Sequence, residues 1–184
     1  VTAIPMLVIG IKIATESEGG VFYRQERVTT YGKKFKIHKF RTMVANADQI
    51  GSAVTVSGDN RITPTGAFLR KYRLDELPQV FDILSGNMSF VGTRPEVVKY
   101  VKKYKPEYLA TLLLPAGITS EASIRYKDEA ELLDAATDVD KVYVNDVLPG
   151  KMKYNLESIK KFSFCREILT MFRTVFAVLG REYK

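Results

Sequence analysis

The 184-residue chain contains one cysteine, one histidine and no tryptophan. Its only cysteine, Cys165, leaves no disulfide framework, so a reducing compartment is the simpler interpretation. Cys165 and His38 together supply too few thiolate and imidazole groups for a Cys/His zinc site. The sequence also has no internal repeat and no low-complexity tract. These absences exclude disulfide-rich scaffolds, zinc modules and repeat proteins.

Long apolar runs are scarce as well. The opening stretch VTAIPMLVIGIKIA (1–14) falls short of the roughly 20 residues that a membrane-spanning helix needs. Pro5 predicts a break or kink in a helix formed there. Three interpretations stay open: a buried strand, the end of a longer membrane-associated segment, or the remnant of a signal peptide. The last is the weakest, because no small-residue cleavage site follows the apolar run.

Positive charge is in excess. Lysine and arginine number 28 against 21 aspartates and glutamates, which gives a formal net charge of +7. Such an excess indicates an anionic partner, either nucleic acid, an acidic membrane surface or a phosphorylated substrate. With 46% hydrophobic and 27% charged residues, the chain suits one folded domain with a core of its own.

Alternating side chains predict a basic β-hairpin in the first quarter of the chain. Residues 21–28 and 33–40 have strand character, and TYG between them is a turn of the hairpin type. Phe35 and Ile37 are expected on the apolar face of the second strand. The other face is expected to carry Lys34, Lys36, His38 and Lys39.

The rest of the chain is expected to be helical with long connections. Loops or turns are predicted over 45–66, 85–96 and 112–119, and helices over 67–74, 97–109, 129–137 and 162–179. Another helix is predicted to begin near Asp75–Leu77, with Pro78 in its first turn. The strand–helix alternation of a doubly wound sheet is missing. The expected fold class is therefore α/β in a loose, α+β-like sense, a helix-rich body with a small hairpin or sheet.

The last predicted helix is strongly amphipathic. Core packing is the default interpretation of its apolar stripe. The size of the stripe, together with Arg166 and Arg173, also suits a helix that lies in a membrane interface. The stripe consists of Ile168, Leu169, Phe172, Val175, Phe176 and Leu179.

Two adjacent carboxylates, Asp75 and Glu76, lie in RLDELPQ (73–79), shortly after Arg70, Lys71 and Arg73. A helix start at this point would stabilise ionised carboxylates and attract phosphate. From the residues alone, three interpretations stay open: surface ion pairs, a Mg²⁺ site, or a carboxylate nucleophile.

Four sequence motifs in a fixed order indicate a family more specifically than the Asp75–Glu76 pair alone. The motifs are QERVTTYGKKFKIHKFRTM (25–43), GDNRITPTGAFLRKYRLDELPQ (58–79), GNMSFVGTRPE (86–96) and PAGIT (115–119). In this order they resemble the bacterial sugar transferase family, the monotopic polyprenyl-phosphate phosphoglycosyl transferases, in the form of the small catalytic domain. The resemblance runs from Pro5 to Leu179, nearly the whole chain.

The resemblance implies an enzyme at the cytoplasmic face of the bacterial inner membrane. Such enzymes transfer a phosphosugar from a UDP-sugar to a polyprenyl phosphate such as undecaprenyl phosphate, and they release UMP. The reaction is a first membrane step of glycoconjugate or polysaccharide synthesis. By motif match, Asp75 is the nucleophile that attacks the β-phosphorus and holds a covalent phosphosugar. Glu76 is its dyad partner and a ligand of a Mg²⁺ cofactor.

The resemblance also implies residues around the dyad. After PAGIT the family's tryptophan and NGR segment are missing, so the contact of that arginine is left open between Arg125 and Lys127. Asp140 is expected as a further acidic metal ligand. The other phosphate-binding candidates are Lys39, Arg41, Arg70 and Arg94. Arginine suits this role because it can hold a phosphate with two hydrogen bonds.

The resemblance divides the chain into two parts. Residues 1–14 match the returning half of a re-entrant membrane helix that turns at Pro5, and residues 15–184 match a single catalytic domain. The implied partners are the UDP-sugar donor, the polyprenyl phosphate acceptor and membrane lipid, with a homodimer left open and no nucleic acid. The alternatives are a basic nucleic-acid-binding module and a non-catalytic membrane scaffold. The first lacks a nucleic-acid-binding motif, and the intact dyad speaks against the second.

Three positions depart from the family pattern. Thr93 replaces the usual proline of VGPRP, Ala116 precedes the glycine of the usual PGIT, and Thr29 replaces the glycine after QxRV. All three are expected in loops, where they change backbone freedom more than chemistry.

Overall fold

A computed structural model describes residues 2–50, 58–133, 136 and 138–180 of the chain, with the backbone alone at 48 and 49. The α-helices are α1 (Ala3–Glu16), α2 (Ala47–Ile50), α3 (Pro64–Lys71), α4 (Val80–Leu84), α5 (Val98–Val101), α6 (Glu121–Arg125), α7 (Glu129–Leu133), α8 (Val139–Val142), α9 (Leu148–Lys160) and α10 (Phe164–Val178). The strands are β1 (Phe22–Val28), β2 (Lys34–Phe40), β3 (Met88–Val91) and β4 (Ala116–Thr119). Short 3₁₀ helices span Thr30–Gly32, Leu74–Gln79 and Pro106–Leu113, and a π turn spans Tyr143–Val147. The helix-rich α/β expectation is confirmed.

The predicted hairpin is confirmed. Strands β1 and β2 pair antiparallel, with Phe22 opposite Phe40 and Val28 opposite Lys34. Side chains alternate along a strand, so Lys39 lies on the same face as the buried Phe35 and Ile37. The expectation that Lys39 faces the other way is wrong, and its ammonium is directed into the protein.

A second sheet occupies segments that were predicted as loops. Strands β3 and β4 pair in parallel, with Met88 opposite Ala116 and Val91 opposite Thr119. The two chains approach closely, since a Cβ on Gly117 would lie 2.1 Å from the backbone nitrogen of Gly92. Each strand has only four residues, which is too short for a clear alternating pattern.

Thr29 links the two sheets. Its hydroxyl donates to the Asn87 carbonyl oxygen at 2.8 Å and accepts from the Ala116 backbone N–H at 3.1 Å. Thr29 is 2% exposed, and Ala116 is a buried residue of β4. Ala116 therefore lies in a strand rather than in the expected loop. Thr29 lies in a connection after β1, as expected, but its substitution changes hydrogen bonding and not mainly backbone freedom. The Thr29 side chain makes hydrogen bonds that no glycine could make.

The opening apolar segment is a helix, so its interpretation as a buried strand is wrong. Pro5 lies in the first turn of α1 and does not interrupt it. Ile13 is buried against Phe40 and Leu69. The helix also carries exposed apolar side chains, Ile4, Leu7, Val8 and Ile11. A re-entrant turn at Pro5 remains a prediction, as does the division into residues 1–14 and 15–184. Within the described ranges, no helix combines the length and the hydropathy of a membrane span.

The amphipathic helix at the end of the chain is confirmed as α10, but its default interpretation is wrong. None of its side chains is buried. Leu169, Phe172 and Val175 are more than half exposed, at 51%, 61% and 55%. The opposite face contacts the body, where the Thr174 and Thr119 hydroxyls share a hydrogen bond of 2.6 Å. The apolar stripe therefore faces outward.

A larger hydrophobic core has eight buried members among the described residues. It is built largely on the long helical stretch formed by α8, the π turn and α9, which the sequence patterns did not predict. The predicted helix over 97–109 is shorter and consists of Val98–Val101, and the one over 129–137 is described as Glu129–Leu133. The buried members of this core are Val97, Tyr100, Tyr108, Leu133, Tyr143, Val147, Leu148 and Met152.

Candidate active site

The carboxylate pair lies on a short 3₁₀ helix, and the residue before this helix has a left-handed backbone conformation. Helix α3 ends at Lys71, and Arg73 has φ 55° and ψ 22° just before the 3₁₀ helix Leu74–Gln79. The helix therefore begins one residue before the start predicted near Asp75–Leu77. Pro78 is inside the 3₁₀ helix rather than in the first turn of α4.

Both carboxylates of the pair are buried. Asp75 is 8% exposed and Glu76 is 6% exposed. Charged side chains are seldom buried without partners, because the loss of hydration is costly. The interpretation of the pair as surface ion pairs is therefore wrong.

Two cations hold Glu76. Lys39 Nζ lies 2.9 Å from Glu76 Oε1, and Arg94 Nη2 lies 2.5 Å from the same oxygen. Burial alone would raise the pKa of Glu76, but Arg94 and Lys39 outweigh it and hold that pKa well below its usual range. Glu76 is therefore ionised, and the described residues offer its second oxygen, Oε2, no hydrogen bond.

Asp75 is less well neutralised than its neighbour. Its nearest cationic group within the described chain is Lys39 Nζ, 3.8 Å from Oδ2. Burial raises the pKa of Asp75, Lys39 opposes that shift, and the charge of Glu76 adds to it. The pKa values of the two carboxyl groups therefore move in opposite directions.

Arg70 approaches the pair from α3. Its Nε donates to the Thr42 hydroxyl at 2.9 Å. Burial lowers the pKa of Arg70, and Asp75 is the strongest of the groups that oppose this. A guanidinium remains charged under such a shift because its ordinary pKa is above 12. Arg70 is thus a cation that lines the same cavity as Asp75 and interacts with its charge.

The pair opens onto a cavity of about 1000 Å³. This volume is at the upper end of the range for small-ligand sites. One part of its wall is strongly basic, and another is apolar and comes from the inner face of α10. Of the predicted residues, those that line the cavity are Lys39, Arg41, Arg70, Asp75, Glu76, Arg94 and Lys127. Arg27, Arg61 and Arg73 line it too, although the sequence did not single them out as phosphate ligands.

Arg41 lines the cavity but is engaged elsewhere. Its guanidinium donates to the carbonyl oxygens of Ser17 at 2.8 Å and Ile13 at 3.4 Å, and also to that of Glu18. These carbonyls belong to the C-terminal end of α1 and the turn after it. The geometry therefore gives Arg41 a structural task, the capping of α1.

The choice between Arg125 and Lys127 has a geometric answer. Arg125 Nε pairs with Glu121 at 2.9 Å, and its guanidinium lies over the Tyr154 ring, 4.8 Å from the centroid. Arg125 is not among the residues that line the cavity, whereas Lys127 is. Lys127 is therefore the better placed of the two.

Asp140 is not brought to Glu76. It pairs with Lys99 and accepts a hydrogen bond of 2.5 Å from the Tyr100 hydroxyl. It is not among the residues that line the cavity. The described ranges also contain no cluster of three or more histidine, cysteine or acidic side chains placed to hold a metal ion. Lys99 and Tyr100 are thus partners of Asp140, and its role as a metal ligand beside Glu76 stays a prediction.

Sequence reasoning missed a polar cluster in the same cavity wall, which consists of the buried Glu96, Tyr143 and Lys151 and the partly exposed Glu129. Glu96 closes the GNMSFVGTRPE motif, so a signal was present for one member. The other three lie outside the four motifs and meet Glu96 only through folding.

Comparison with known proteins identifies the same family that the four sequence motifs resemble. Residues 1–181 match the family described as Bacterial sugar transferase. The UDP-N-acetylgalactosamine-undecaprenyl-phosphate N-acetylgalactosaminephosphotransferase of Aeromonas hydrophila is 34% identical over 177 residues, which are 95% of this chain and 39% of that protein. The UDP-glucose:undecaprenyl-phosphate glucose-1-phosphate transferase of Xanthomonas campestris pv. campestris is 32% identical over 183 residues, which are 96% of this chain and 35% of that protein.

A shorter relative comes from Bacillus subtilis (strain 168) and carries a provisional name as an undecaprenyl-phosphate N-acetylgalactosaminyl 1-phosphate transferase. It is 43% identical over 131 residues, which are 70% of this chain and 72% of that protein. The chain thus spans less than half the length of the two longer relatives but most of the shorter one. Since the family match extends from residue 1 to residue 181, the chain belongs to the bacterial sugar transferase family.

Proposed function

We propose that the protein transfers a phosphosugar from a UDP-sugar to a polyprenyl phosphate, with Asp75 as covalent nucleophile and UMP as leaving product. The observation that carries this proposal is that the two buried carboxylates differ in how closely cations approach them. Glu76 is bound by Lys39 and Arg94, whereas Asp75 faces the cavity with its nearest described cation 3.8 Å away. The donor and acceptor classes come from the names of the relatives.

In the first step, a carboxylate oxygen of Asp75 attacks the β-phosphorus of the UDP-sugar. An O–P bond forms, the bond from that phosphorus to the bridging oxygen breaks, and its electron pair leaves with UMP. An ionised carboxylate needs no base to activate it. His38 and Cys165 therefore have no role in this step, in keeping with the pairing of His38 to Asp82 at 2.8 Å and the exposed position of Cys165.

The surrounding cations support this step. A phosphoryl-transfer transition state requires charge neutralisation and in-line positioning of the attacking and leaving oxygens. Arg70 and Lys39 flank Asp75, and Lys127 lines the same cavity. Arg94 and Lys39 also fix the carboxylate of Glu76, so the site is ordered before substrate enters.

In the second step, a phosphate oxygen of the polyprenyl phosphate attacks the phosphorus held by Asp75. The new O–P bond yields a polyprenyl diphosphate sugar, and the bond to Asp75 breaks and returns the carboxylate. Because UMP has left before the acceptor reacts, the scheme is ping-pong.

Glu76 also fits a magnesium ion. Mg²⁺ binds through one or two carboxylates together with substrate phosphates rather than in an all-protein cage. The Glu76 carboxylate keeps Oε2 without a hydrogen bond among the described residues, because both of its cations bind Oε1. We therefore propose Glu76 as the protein ligand of Mg²⁺, which when bound supplies neutralisation of the diphosphate charge.

The outward apolar face of α10 supports membrane association. Contiguous exposed apolar side chains commonly mark interaction surfaces, and an amphipathic helix can lie in a membrane interface with its apolar side in the lipid. The polyprenyl acceptor is itself a membrane lipid, so a site beside that face gives its phosphate a short path to Asp75.

The test is an assay of the full-length protein with a panel of UDP-sugars, polyprenyl phosphate and Mg²⁺, read as UMP release. Asp75→Asn is expected to lower the rate at least about 100-fold, the loss usual for a group that acts in the transition state. Without acceptor, the wild type should gain the mass of one phosphosugar on the peptide that contains Asp75. The control is Asp146→Asn, the same change at an exposed residue that does not line the cavity. Full activity of Asp75→Asn would contradict the proposed nucleophile.

A further inference from the structure

One wall of the cavity takes no part in the steps above. This polar wall consists of Glu96, Glu129, Tyr143 and Lys151. It combines the loop after β3, helix α7, the π turn and helix α9. Charged side chains in such a position require a reason, because burying them is costly unless every polar group is paired.

Within the polar wall, hydrogen bonds fix three members to one another. The Tyr143 hydroxyl donates to Glu96 Oε1 at 2.6 Å, and Lys151 Nζ donates to the Tyr143 hydroxyl oxygen at 3.1 Å. Lys151 Nζ is also 3.7 Å from Glu96 Oε1. Glu96, Tyr143 and Lys151 are 7%, 3% and 6% exposed. These three are therefore a rigid support rather than a contact surface.

Glu129 is the most exposed member of the polar wall. Lys151 Nζ holds its Oε2 at 2.9 Å, and its side chain is 26% exposed. Its other oxygen, Oε1, has no hydrogen bond within the described part of the chain. Glu129 therefore presents a positioned acceptor to whatever occupies this part of the cavity.

Arg94 connects the polar wall to the dyad. It binds Glu76 at 2.5 Å, and its pKa is raised mainly by Glu76 and to smaller extents by Asp75 and Glu129. Glu129 lines the same cavity as Arg94 and Asp75, and this cavity must also hold the phosphorus that Asp75 would attack. In a UDP-sugar, the sugar is joined to that same phosphorus through one oxygen, so its ring must lie next to the dyad.

We infer that the polar wall binds the sugar of the donor, with Glu129 Oε1 accepting a hydrogen bond from a sugar hydroxyl. This inference rests on the proposed function. A hydroxyl-rich ring requires directed hydrogen bonds, which a fixed carboxylate supplies, whereas an apolar wall could not discriminate one hydroxyl pattern from another. Lys151, Tyr143 and Glu96 act as positioning residues that hold Glu129.

The charges of the wall also limit the class of sugar. Its two carboxylates are offset by Lys151 and by Arg27, which lines the same cavity and donates to the Pro95 carbonyl oxygen at 3.1 Å. The cations of this wall are matched by its own carboxylates, which favours an uncharged ring beside it. The expected donor therefore carries a neutral hexose or N-acetylhexosamine rather than a uronic acid.

The experiment measures how tightly the full-length protein binds UDP, UDP-sugars with neutral rings and UDP-glucuronate. Glu129→Gln is expected to weaken binding of the preferred UDP-sugar about tenfold or more, the usual loss of a hydrogen bond to a charged group, while the affinity for UDP is unchanged. Glu129→Asp keeps the charge beside Lys151 but withdraws Oε1, and it should show the same selective loss. Glu131→Gln is the matched control, an exposed glutamate on the same helix that does not line the cavity.

Each outcome decides between support and rejection. Equal losses for UDP and UDP-sugar in both Glu129 variants would overturn the inference, as would an unchanged affinity for every sugar. Tightest binding of UDP-glucuronate would overturn the assignment to a neutral sugar. A wild-type protein that binds UDP-sugars but releases no UMP with any acceptor would refute the proposed transferase alone and leave the sugar site standing.

Discussion

Asp75 and Glu76 are neighbours in the chain and both are buried, yet the pKa of Asp75 is raised and that of Glu76 is lowered. The difference follows from which carboxylate the cations reach. Lys39 and Arg94 meet at Glu76 Oε1 and leave Asp75 farther from any positive group in the described chain. When the pKa values of two adjacent acids shift in opposite directions, the two acids commonly have different functional roles.

Asp75→Asn is expected to stabilise the fold while it abolishes activity. A carboxyl whose pKa is raised on folding costs stability at every pH above its unfolded pKa, so removing its charge removes that cost. Glu76 is the opposite case, because its pKa is lower in the folded protein than in the unfolded chain. Its ionised carboxylate therefore stabilises the fold above the unfolded-state pKa, and this stabilisation is lost as the pH falls through the folded-state pKa. Glu76→Gln should therefore destabilise the protein at neutral pH, on the order of a few kcal/mol.

Thermal unfolding at pH 7 measures both variants against the wild type. The expected order of Tm is Asp75→Asn first, then the wild type, then Glu76→Gln. Asp146→Asn, an exposed control, should not move Tm by more than about 1 °C, as is usual for surface changes. The reverse order of the two dyad variants would mean that Asp75 is the better paired carboxylate.

Lys39→Met is expected to shift the pH dependence of UMP release. As the proposed nucleophile, Asp75 must be ionised to attack, so the rate is expected to fall at low pH as its carboxyl takes up a proton. Lys39 lowers the pKa of Asp75, and its removal allows that pKa to rise further. The acid limb of kcat/KM should therefore move to higher pH.

The matched control for this profile is Lys36→Met, which removes an exposed lysine from the same strand. It should leave the acid limb where the wild type has it. An acid limb that stays in place or moves to lower pH in Lys39→Met would show that the limb does not report Asp75.

The hairpin was predictable from the sequence for a physical reason, because alternation along residues 33–40 indicates a strand directly. The dyad was singled out by the resemblance of four ordered motifs to a family, since the residues alone left three interpretations open. The β3–β4 pair was not predictable, because parallel pairing joins distant segments of four residues each. Likewise Lys39 and Arg41 share one motif, but only folding shows that Lys39 reaches Glu76 while Arg41 caps α1.

Charged residues on the outward face of α10 are expected to weaken membrane binding. Leu169 and Phe172 are 51% and 61% exposed, so Leu169→Glu with Phe172→Glu should leave the fold intact. Removing two apolar side chains from a lipid interface should weaken binding to anionic vesicles about tenfold or more, since each buried side chain of this kind contributes about 1.5–3 kcal/mol.

Vesicle co-sedimentation measures this effect. The double change to methionine at the same two positions keeps the face apolar and should bind as the wild type does. Unaltered binding by the glutamate variant, with unchanged circular dichroism, would assign membrane contact to other surfaces such as the exposed side of α1.

Thr29→Val is expected to lower the free energy of unfolding by about 1–3 kcal/mol, because it leaves the buried Ala116 N–H without its acceptor and the Asn87 carbonyl without its donor. Thr29→Ser keeps the hydroxyl and should remain close to the wild type. Thr30→Val is the matched control, since the Thr30 hydroxyl makes no hydrogen bond with the described residues. Chemical denaturation compares the three. Equal stability of Thr29→Val and Thr30→Val would show that the two sheets are held together without the Thr29 hydroxyl, and that its substitution for glycine acts through the backbone alone.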